Sequence, residues 1–302
     1  MIIDAHAHLW FHVDTTVNGQ PIRPIPTNRS RSLFFGEERQ MLPPFMTDGQ
    51  NTAERFLSNM DYAQVSAAVI TQEFIDGLQN DYLQTVSQEY PERFFVFGMP
   101  EWRQPDYYQG ALSLIAKGFR GIKIPAARLP EHFLEEDEFR KVLWLMEGND
   151  IILGIELMDG DAQTGMMEEL IADFPRLKVV IGHFGMVTRP GWMSQIRLAR
   201  HKNVFVESGG ITWLFNDEFY PFPSAIRAIK EAADEVGWEK LMWGSDYPRT
   251  ITAITYRMSY DFVTKSRELT DREKQLFLCD NARQFFGFGN LVELPYIKNM
   301  SE

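Results

Sequence analysis

The strongest constraint on the fold of this chain is the recurrence of short apolar runs, rich in β-branched residues and mostly separated by amphipathic segments. Eight such runs stand in order: Ile2–Ala5, Ala67–Thr71, Phe94–Met99, Gly121–Ile124, Ile151–Leu157, Lys178–Gly182, Val204–Glu207 and Leu241–Gly244. Their near-continuous apolar character, rather than clean alternation, is the mark of strands buried on both faces of a parallel sheet. The segments between them predict helices over Asn51–Gln64, Asp81–Tyr90, Tyr107–Lys117, Asp137–Gly148, Gln163–Phe174, Trp192–His201 and Pro223–Val236. Gly118 and Pro175 provide stop signals after two of these. Alternating strand and helix implies right-handed βαβ units, and eight of them close into a (β/α)8 TIM barrel. An open doubly wound sheet is the rival, but the Gly-rich phosphate-binding turn expected after its first strand is missing, which favours the barrel.

A barrel of this type runs to about 250 residues as one unit, so the 302 residues require only a single domain. The net charge of −12 argues against a nucleic-acid surface, which needs clustered Lys and Arg. It leaves a carboxylate-bearing small-molecule substrate open, because a pocket can oppose the global sign. The lone Cys279 excludes an intramolecular disulfide and a multi-cysteine zinc site, and reads as a buried small hydrophobe in the helical stretch Glu273–Phe286. The start MIIDAHAHLW has neither the basic region nor the apolar core of a signal peptide, and no run approaches the roughly 18 apolar residues of a membrane span. A cytoplasmic enzyme with no nucleic-acid or membrane partner is the expectation.

One connection stands apart. From about residue 10 to residue 50 the chain is rich in Pro, Arg and aromatics (Arg23, Arg29, Arg31, Phe34 and Phe35 among them) and shows little helical or strand pattern. It reads as a long loop after strand one, and loops of that length are usually functional lids or disordered. Leaving the first strand, it emerges at the C-terminal face, where barrel active sites lie, and its arginines can meet an anion bidentately. A plain solvent-exposed loop or an oligomer arm is the competing reading.

His6 and His8 lie two apart at the end of the first strand, so their side chains share a face and project into the barrel mouth. Two neutral imidazoles converging on one point are a common start to a zinc, iron or manganese site. His183 follows the sixth apolar run between Gly182 and Gly185, and Asp246 follows the eighth, just before Pro248. Each taken singly has an ordinary structural explanation. Together they bring four metal-competent side chains to one rim from three strands. Glu156 lies in the apolar fifth run, where an unpaired charge is expensive, so it needs a cation, a salt-bridge partner or an acid/base role. Lys123, between Ile122 and Ile124, points opposite to them and into the barrel, either to bind a substrate carboxylate or to pair with Glu156. Arg249, beside Pro248, reads as an anion contact or a surface charge. Glu73, Glu101, Trp102, Ser208 and Gly209 are rim positions with no motif behind them.

The segments Ile3-Asp-Ala-His-Ala-His8, Gly182-His-Phe-Gly185 and Gly244-Ser-Asp-Tyr-Pro248 resemble the amidohydrolase superfamily, and its amidohydrolase-2 branch most. That branch holds metal-dependent hydrolases, lactonases and aminocarboxymuconate-semialdehyde-decarboxylase-like enzymes. The resemblance runs in strand order from residue 2 to about 286. It implies one divalent metal, with zinc expected and manganese or iron the alternatives. His6, His8 and Asp246 would be its ligands, and His183, with Asp246, would move protons. Where the branch usually has a fifth-strand histidine this chain has Glu156, which the resemblance would make the remaining ligand. The implied activity is hydrolysis of a lactone, amide or related carbonyl compound by activated water. Non-oxidative decarboxylation of an aromatic or muconate-like acid is the alternative, and a metal-free lactonase or a non-catalytic binding barrel the second alternative. The resemblance also favours a homodimer.

Overall fold

The structure, a computed structural model, describes residues 1–302. Its twelve strands are β1 (Ile3–His8), β2 (Thr15–Val17), β3 (Gln20–Ile25), β4 (Asn28–Phe34), β5 (Glu37–Gln40), β6 (Ala67–Thr71), β7 (Phe94–Val96), β8 (Gly121–Ile124), β9 (Ile152–Ile155), β10 (Val179–Ile181), β11 (Val204–Glu207) and β12 (Leu241–Met242). All eight apolar runs thus contain a strand. The strand β1 and β6–β12 pair in parallel, as a three-stranded sheet β1-β6-β7 and a five-stranded sheet β12-β11-β10-β9-β8. Backbone hydrogen bonds link the two sheets on both sides. Lys123 N donates to Gly98 O (2.8 Å), while Ala5 N donates to Trp243 O (2.8 Å) and His8 N to Tyr247 O (2.7 Å).

Helices α1 (Ala53–Ala63), α2 (Asn80–Glu89), α3 (Tyr107–Ala116), α4 (Asp137–Gly148), α5 (Thr164–Asp173), α6 (Trp192–Arg197), a short α7 (Ile211–Leu214) and α8 (Pro223–Val236) lie between the parallel strands. Each of the seven predicted helices therefore forms, with its ends moved by a few residues. Apolar positions at helical spacing explain the packing: α8 buries Ala225, Ile226, Ala228, Ile229, Ala232 and Ala233 on one face. No helix is long and apolar enough to cross a membrane.

The buried core divides into two parts. A large outer cluster takes one parity of each parallel strand (Ala68, Ile70, Ile122, Ile124, Leu153, Ile155) against the helices. A small inner cluster takes the other parity (Ile3, Ala67, Val69, Phe95, Phe97, Ile152, Val180, Met242) and is closed from below by Cys279, Phe285 and Phe286 of the C-terminal helical segment. Cys279 is accordingly a buried packing residue. Above this apolar floor the same inward parity carries Lys123 and Glu207 and, one and two residues past the ends of β9 and β12, Glu156 and Gly244. Alternation along the strands thus delivers charged side chains to the C-terminal end, over a dry base.

The sequence expectation fails at residues 10–50. In place of a structureless loop, β2–β5 form a four-stranded antiparallel sheet in the order β2-β3-β4-β5. Its outer strand β5 is exposed throughout. Paired hydrogen bonds between Trp10 and Asn51 (2.9 and 3.0 Å) pinch the neck of this insertion two residues after His8. The strands escaped notice because only part of each is apolar, as befits a small sheet with one face on the protein and one in water. The turn Asn18-Gly19, with φ of 50° and 73°, was a legible hairpin signal.

Candidate metal centre

His6 and His8 occupy the last turn of the pleat in β1, and a bulge puts both inside. Register along β6 shifts by one residue between Asp4 and Ala7, so β1 carries one residue more than its partner there. Ile3 and Ala5 face the inner cluster below the bulge, Ala7 faces the outer cluster above it, and the two histidines inherit the interior. Space for them comes from glycine on β12's continuation. A Cβ at Gly244 would stand 2.7 Å from both His6 Cβ and Glu207 Oε2, closer than atoms can approach.

Each imidazole is held at Nδ1 by a buried carboxylate. His6 Nδ1 lies 2.8 Å from Glu207 Oε1, and His8 Nδ1 lies 2.6 Å from Asp76 Oδ2. A ring that donates its Nδ1 proton presents a lone pair at Nε2. The two Nε2 atoms approach to 3.0 Å, and Asp246 Oδ1 stands 3.3 Å from that of His8 and 3.7 Å from that of His6. Three donor atoms thus converge on one spot, with carboxylates bracing two of them from behind.

Asp246 reaches the cluster from a left-handed backbone position (φ 58°), sparsely populated for a residue with a side chain. Its second oxygen accepts the indole proton of Trp213 (2.7 Å), and its backbone N donates to His6 O (2.9 Å). His183, after β10, is also left-handed (φ 55°). Its backbone N–H donates to Glu207 Oε1 (3.0 Å) and its Nδ1 faces Gly209 O (2.9 Å), so Nε2 points at Glu156 Oε1 (3.4 Å). Glu156 itself is closed by the Lys123 ammonium at 2.7 Å.

The charges explain one another. Burial raises Asp246, but hydrogen bonding to His8 and the neighbouring rings outweigh it and hold the carboxyl well below its ordinary range. Burial alone would lower His8; the carboxylates of Asp76 and Asp246 overcome it and lift the ring well above its usual value. His6 remains lowered, burial prevailing over Glu207. The surroundings of His8 therefore favour positive charge where the free nitrogens meet. Two imidazoles and a carboxylate are a fitting donor set for a divalent cation. Burial likewise opposes a proton on His183, yet Glu156 raises that ring to about 9. At neutral pH His183 thus carries a proton.

His6, His8 and Asp246 have donor atoms all within 4.8 Å of one another, and His6, Glu156 and His183 form a second such set. His6 belongs to both but has one free nitrogen, and the structure directs it at His8 and Asp246. Glu156 is brought to His183 and Lys123, and so stands in the second of these sets rather than with His8 and Asp246. Lys123 takes the second of its two expected roles. Its buried ammonium is committed to Glu156, and the side chain does not line the cavity, so direct substrate contact gives way to pairing. Arg249 does line the cavity, its guanidinium 4.1 Å above the Trp213 ring.

Sequence reasoning missed Asp76, Glu207 and Trp213. Glu207 carried a signal, an acidic residue ending an apolar strand with no partner nearby in sequence; Asp76 and Trp213 carried none. Asp76→Asn is expected to weaken metal binding about 10–100-fold, since the amide cannot hold the His8 tautomer as the carboxylate does. Titration of stripped protein with zinc, monitored by competition with a chromophoric chelator, measures this.

A cavity of ≈ 230 Å³ opens over the cluster. His8, Asp246, His183 and Glu156 form its floor, and Phe34, Arg39, Gln40 and Met41 of the antiparallel sheet form part of its wall. The insertion is therefore a cap over the site. None of the three arginines singled out in the insertion lines this cavity: Arg31 pairs with Glu38, Arg23 with Asp14, and Arg29 lines a smaller neighbouring cavity; Arg39, which the sequence did not single out, lines it instead.

A family model described as amidohydrolase matches residues 3–288. No curated protein sequence matches the chain. Among solved structures, a probable 2-pyrone-4,6-dicarboxylic acid hydrolase from Acinetobacter baumannii with bound citric acid is similar at TM-score 0.69 and 21% identity, over 95% of this chain and 99% of that one. A zinc-bound amidohydrolase from Burkholderia multivorans is similar at TM-score 0.68 and 17% identity, over 95% and 99%. A manganese-bound 5-carboxyvanillate decarboxylase from Novosphingobium aromaticivorans is similar at TM-score 0.58 and 18% identity, over 78% and 80%.

Proposed function

Since this chain belongs to the amidohydrolase family, we propose that it is a metal-dependent hydrolase opening a lactone, amide or related carbonyl compound. The eight parallel strands are read as a closed (β/α)8 barrel, with the site at the C-terminal mouth. The observation that carries the proposal is the convergence of His6 Nε2, His8 Nε2 and Asp246 Oδ1, with Glu207 and Asp76 fixing both rings from behind. His6, His8 and Asp246 would hold one divalent cation, zinc by preference for this donor set, with manganese or iron as alternatives. When bound, such an ion supplies Lewis acidity that activates water and polarises a carbonyl.

The remaining work falls to the chain itself. Asp246, kept ionised, accepts a proton from the attacking water. His183 holds its proton at Nε2, braced through Nδ1 by the Gly209 carbonyl, and donates it to the departing oxygen or nitrogen. Glu156, charged by virtue of Lys123, keeps that proton on His183. Arg249, three residues after Asp246 in the chain, meets a carboxylate of the substrate. The cap narrows access over the floor.

Decarboxylation would employ the same floor, so the discriminating experiment reads products. Zinc- or manganese-loaded protein is offered a panel of lactones and amides, followed by acid release, and a panel of aromatic and muconate-like acids, followed by carbon dioxide release. Acid release abolished by chelation and restored by metal is the expected outcome. Carbon dioxide from the second panel would replace hydrolysis by decarboxylation. Full turnover of lactones after chelation would replace the metal centre by a metal-free lactonase.

A further inference from the structure

We infer that Arg39 of the cap is a second anion receptor, so that the substrate of this centre is a dicarboxylate or comparable two-ended anion, one end met by Arg249 and the other by Arg39. This rests on the hydrolase reading above and names its substrate class.

The argument begins with what the cavity wall has left uncommitted. Four carboxylates line the cavity, and each is already engaged. Asp76 accepts from His8 (2.6 Å), Glu156 faces Lys123 (2.7 Å), Glu73 faces Arg128 (2.7 Å) and Asp246 accepts from Trp213 (2.7 Å) beside the two histidines. Glu73 is buried and stands at ion-pair distance from Arg128, so that guanidinium already has a partner inside the wall. Two arginines remain. Arg249 has no carboxylate within 4.0 Å and rests on the Trp213 face, which orients a guanidinium without satisfying its donors. Arg39 has one partner, Glu37, two residues back on the same exposed strand at 2.8 Å. Their side chains are 56% and 68% exposed, and a pair so placed in water is held weakly.

The charge in the cavity that is unpaired, or paired only weakly at the surface, is therefore cationic, in a protein whose net charge is −12. The two sources belong to different parts of the fold. Arg249 follows the last barrel strand; Arg39 belongs to the outermost strand of the cap, its guanidinium 5.6 Å from the Phe34 ring, which lines the same cavity. A carboxylate entering between these walls leaves water and gains charge-assisted, bidentate contacts that exposed Glu37 cannot match. One anionic group would satisfy one arginine and leave the other facing a vacant wall. Two groups on one small rigid frame satisfy both and set the register of the frame over His183 and Asp246.

Calorimetric titration of the zinc-loaded protein with isophthalate and with benzoate tests this, in wild type and in Arg39→Ala, Arg39→Lys and Arg249→Ala. Isophthalate should bind at least about tenfold more tightly than benzoate, and Arg39→Ala should erase that advantage while leaving benzoate within about twofold. Arg39→Lys should restore part of it, and Arg249→Ala should weaken both ligands. Because Arg39 is exposed, its loss leaves folding and zinc content unchanged, which thermal melts and elemental analysis check. Equal affinity for the two acids, no measurable isophthalate binding, or equal weakening of both by Arg39→Ala would each overturn the assignment. None of these results touches the metal dependence of turnover, so the hydrolase reading stands or falls separately.

Discussion

His8→Ala should lose its metal and its turnover together, with kcat/KM falling about a thousandfold or more. The expectation follows from geometry. His8 Nε2 is the middle member of the converging set, 3.0 Å from His6 Nε2 and 3.3 Å from Asp246 Oδ1. A Lewis acid contributes several kcal/mol of charge stabilisation in carbonyl chemistry, and each 1.36 kcal/mol is a decade in rate. Removing the ring leaves Asp76 one hydrogen bond, from Glu73 N at 3.0 Å, so the fold should survive. Elemental analysis and steady-state kinetics on the same preparation read the two losses, and a melting curve separates them from unfolding. Full activity in a protein without bound metal would sink the centre.

Lys123→Met should destabilise the fold by about 3–5 kcal/mol at neutral pH, the scale for breaking one side of a buried ion pair. The pair is 2.7 Å long with side-chain exposures of 4% and 12%, so solvent screens it little. Burial pushes the Glu156 carboxyl up, but Lys123 and then His183 hold it well below its ordinary value of 4.5. A carboxyl depressed in the folded state stabilises fully above its unfolded value and loses that contribution as pH falls through the folded one. The gap between variant and wild type should therefore be widest at neutral pH and close in acid. Lys123→Met combined with Glu156→Leu should recover much of the loss, because an apolar pair of similar bulk suits the dry interior. Urea melts of the three proteins at two pH values decide; an unchanged midpoint for Lys123→Met at pH 7 refutes the account.

The parallel strands and their helices were legible because each is a local pattern repeated in order. An apolar run such as Ala67–Thr71 or Gly121–Ile124 can be satisfied only with both faces covered, and strict parity then sends Lys123 inward. The cap was not legible in the same way. Its strands Gln20–Ile25 and Asn28–Phe34 alternate Pro, Arg and Ser with single apolar residues, and their pairing partners, not their composition, make them strands. The histidine pair fell between these cases. That His6 and His8 share a face followed from spacing, whereas which face required the bulge between Asp4 and Ala7, a property of β1 against β6.

By itself the sequence determined the order of the parallel strands with their helices and the type of chemistry at their ends: imidazoles at the end of the first strand, an acid in the fifth apolar run, a histidine after the sixth and an aspartate after the eighth. These depend on periodicity and residue type, which are carried along one chain. Tertiary structure alone decided the partners. It set Glu207 and Asp76 behind the two rings, brought Glu156 to Lys123 and His183, and laid Arg39 over the cavity. The physical reason is that a buried charge takes its state from the nearest opposite charge, and here those neighbours lie 27 to 201 residues away along the chain.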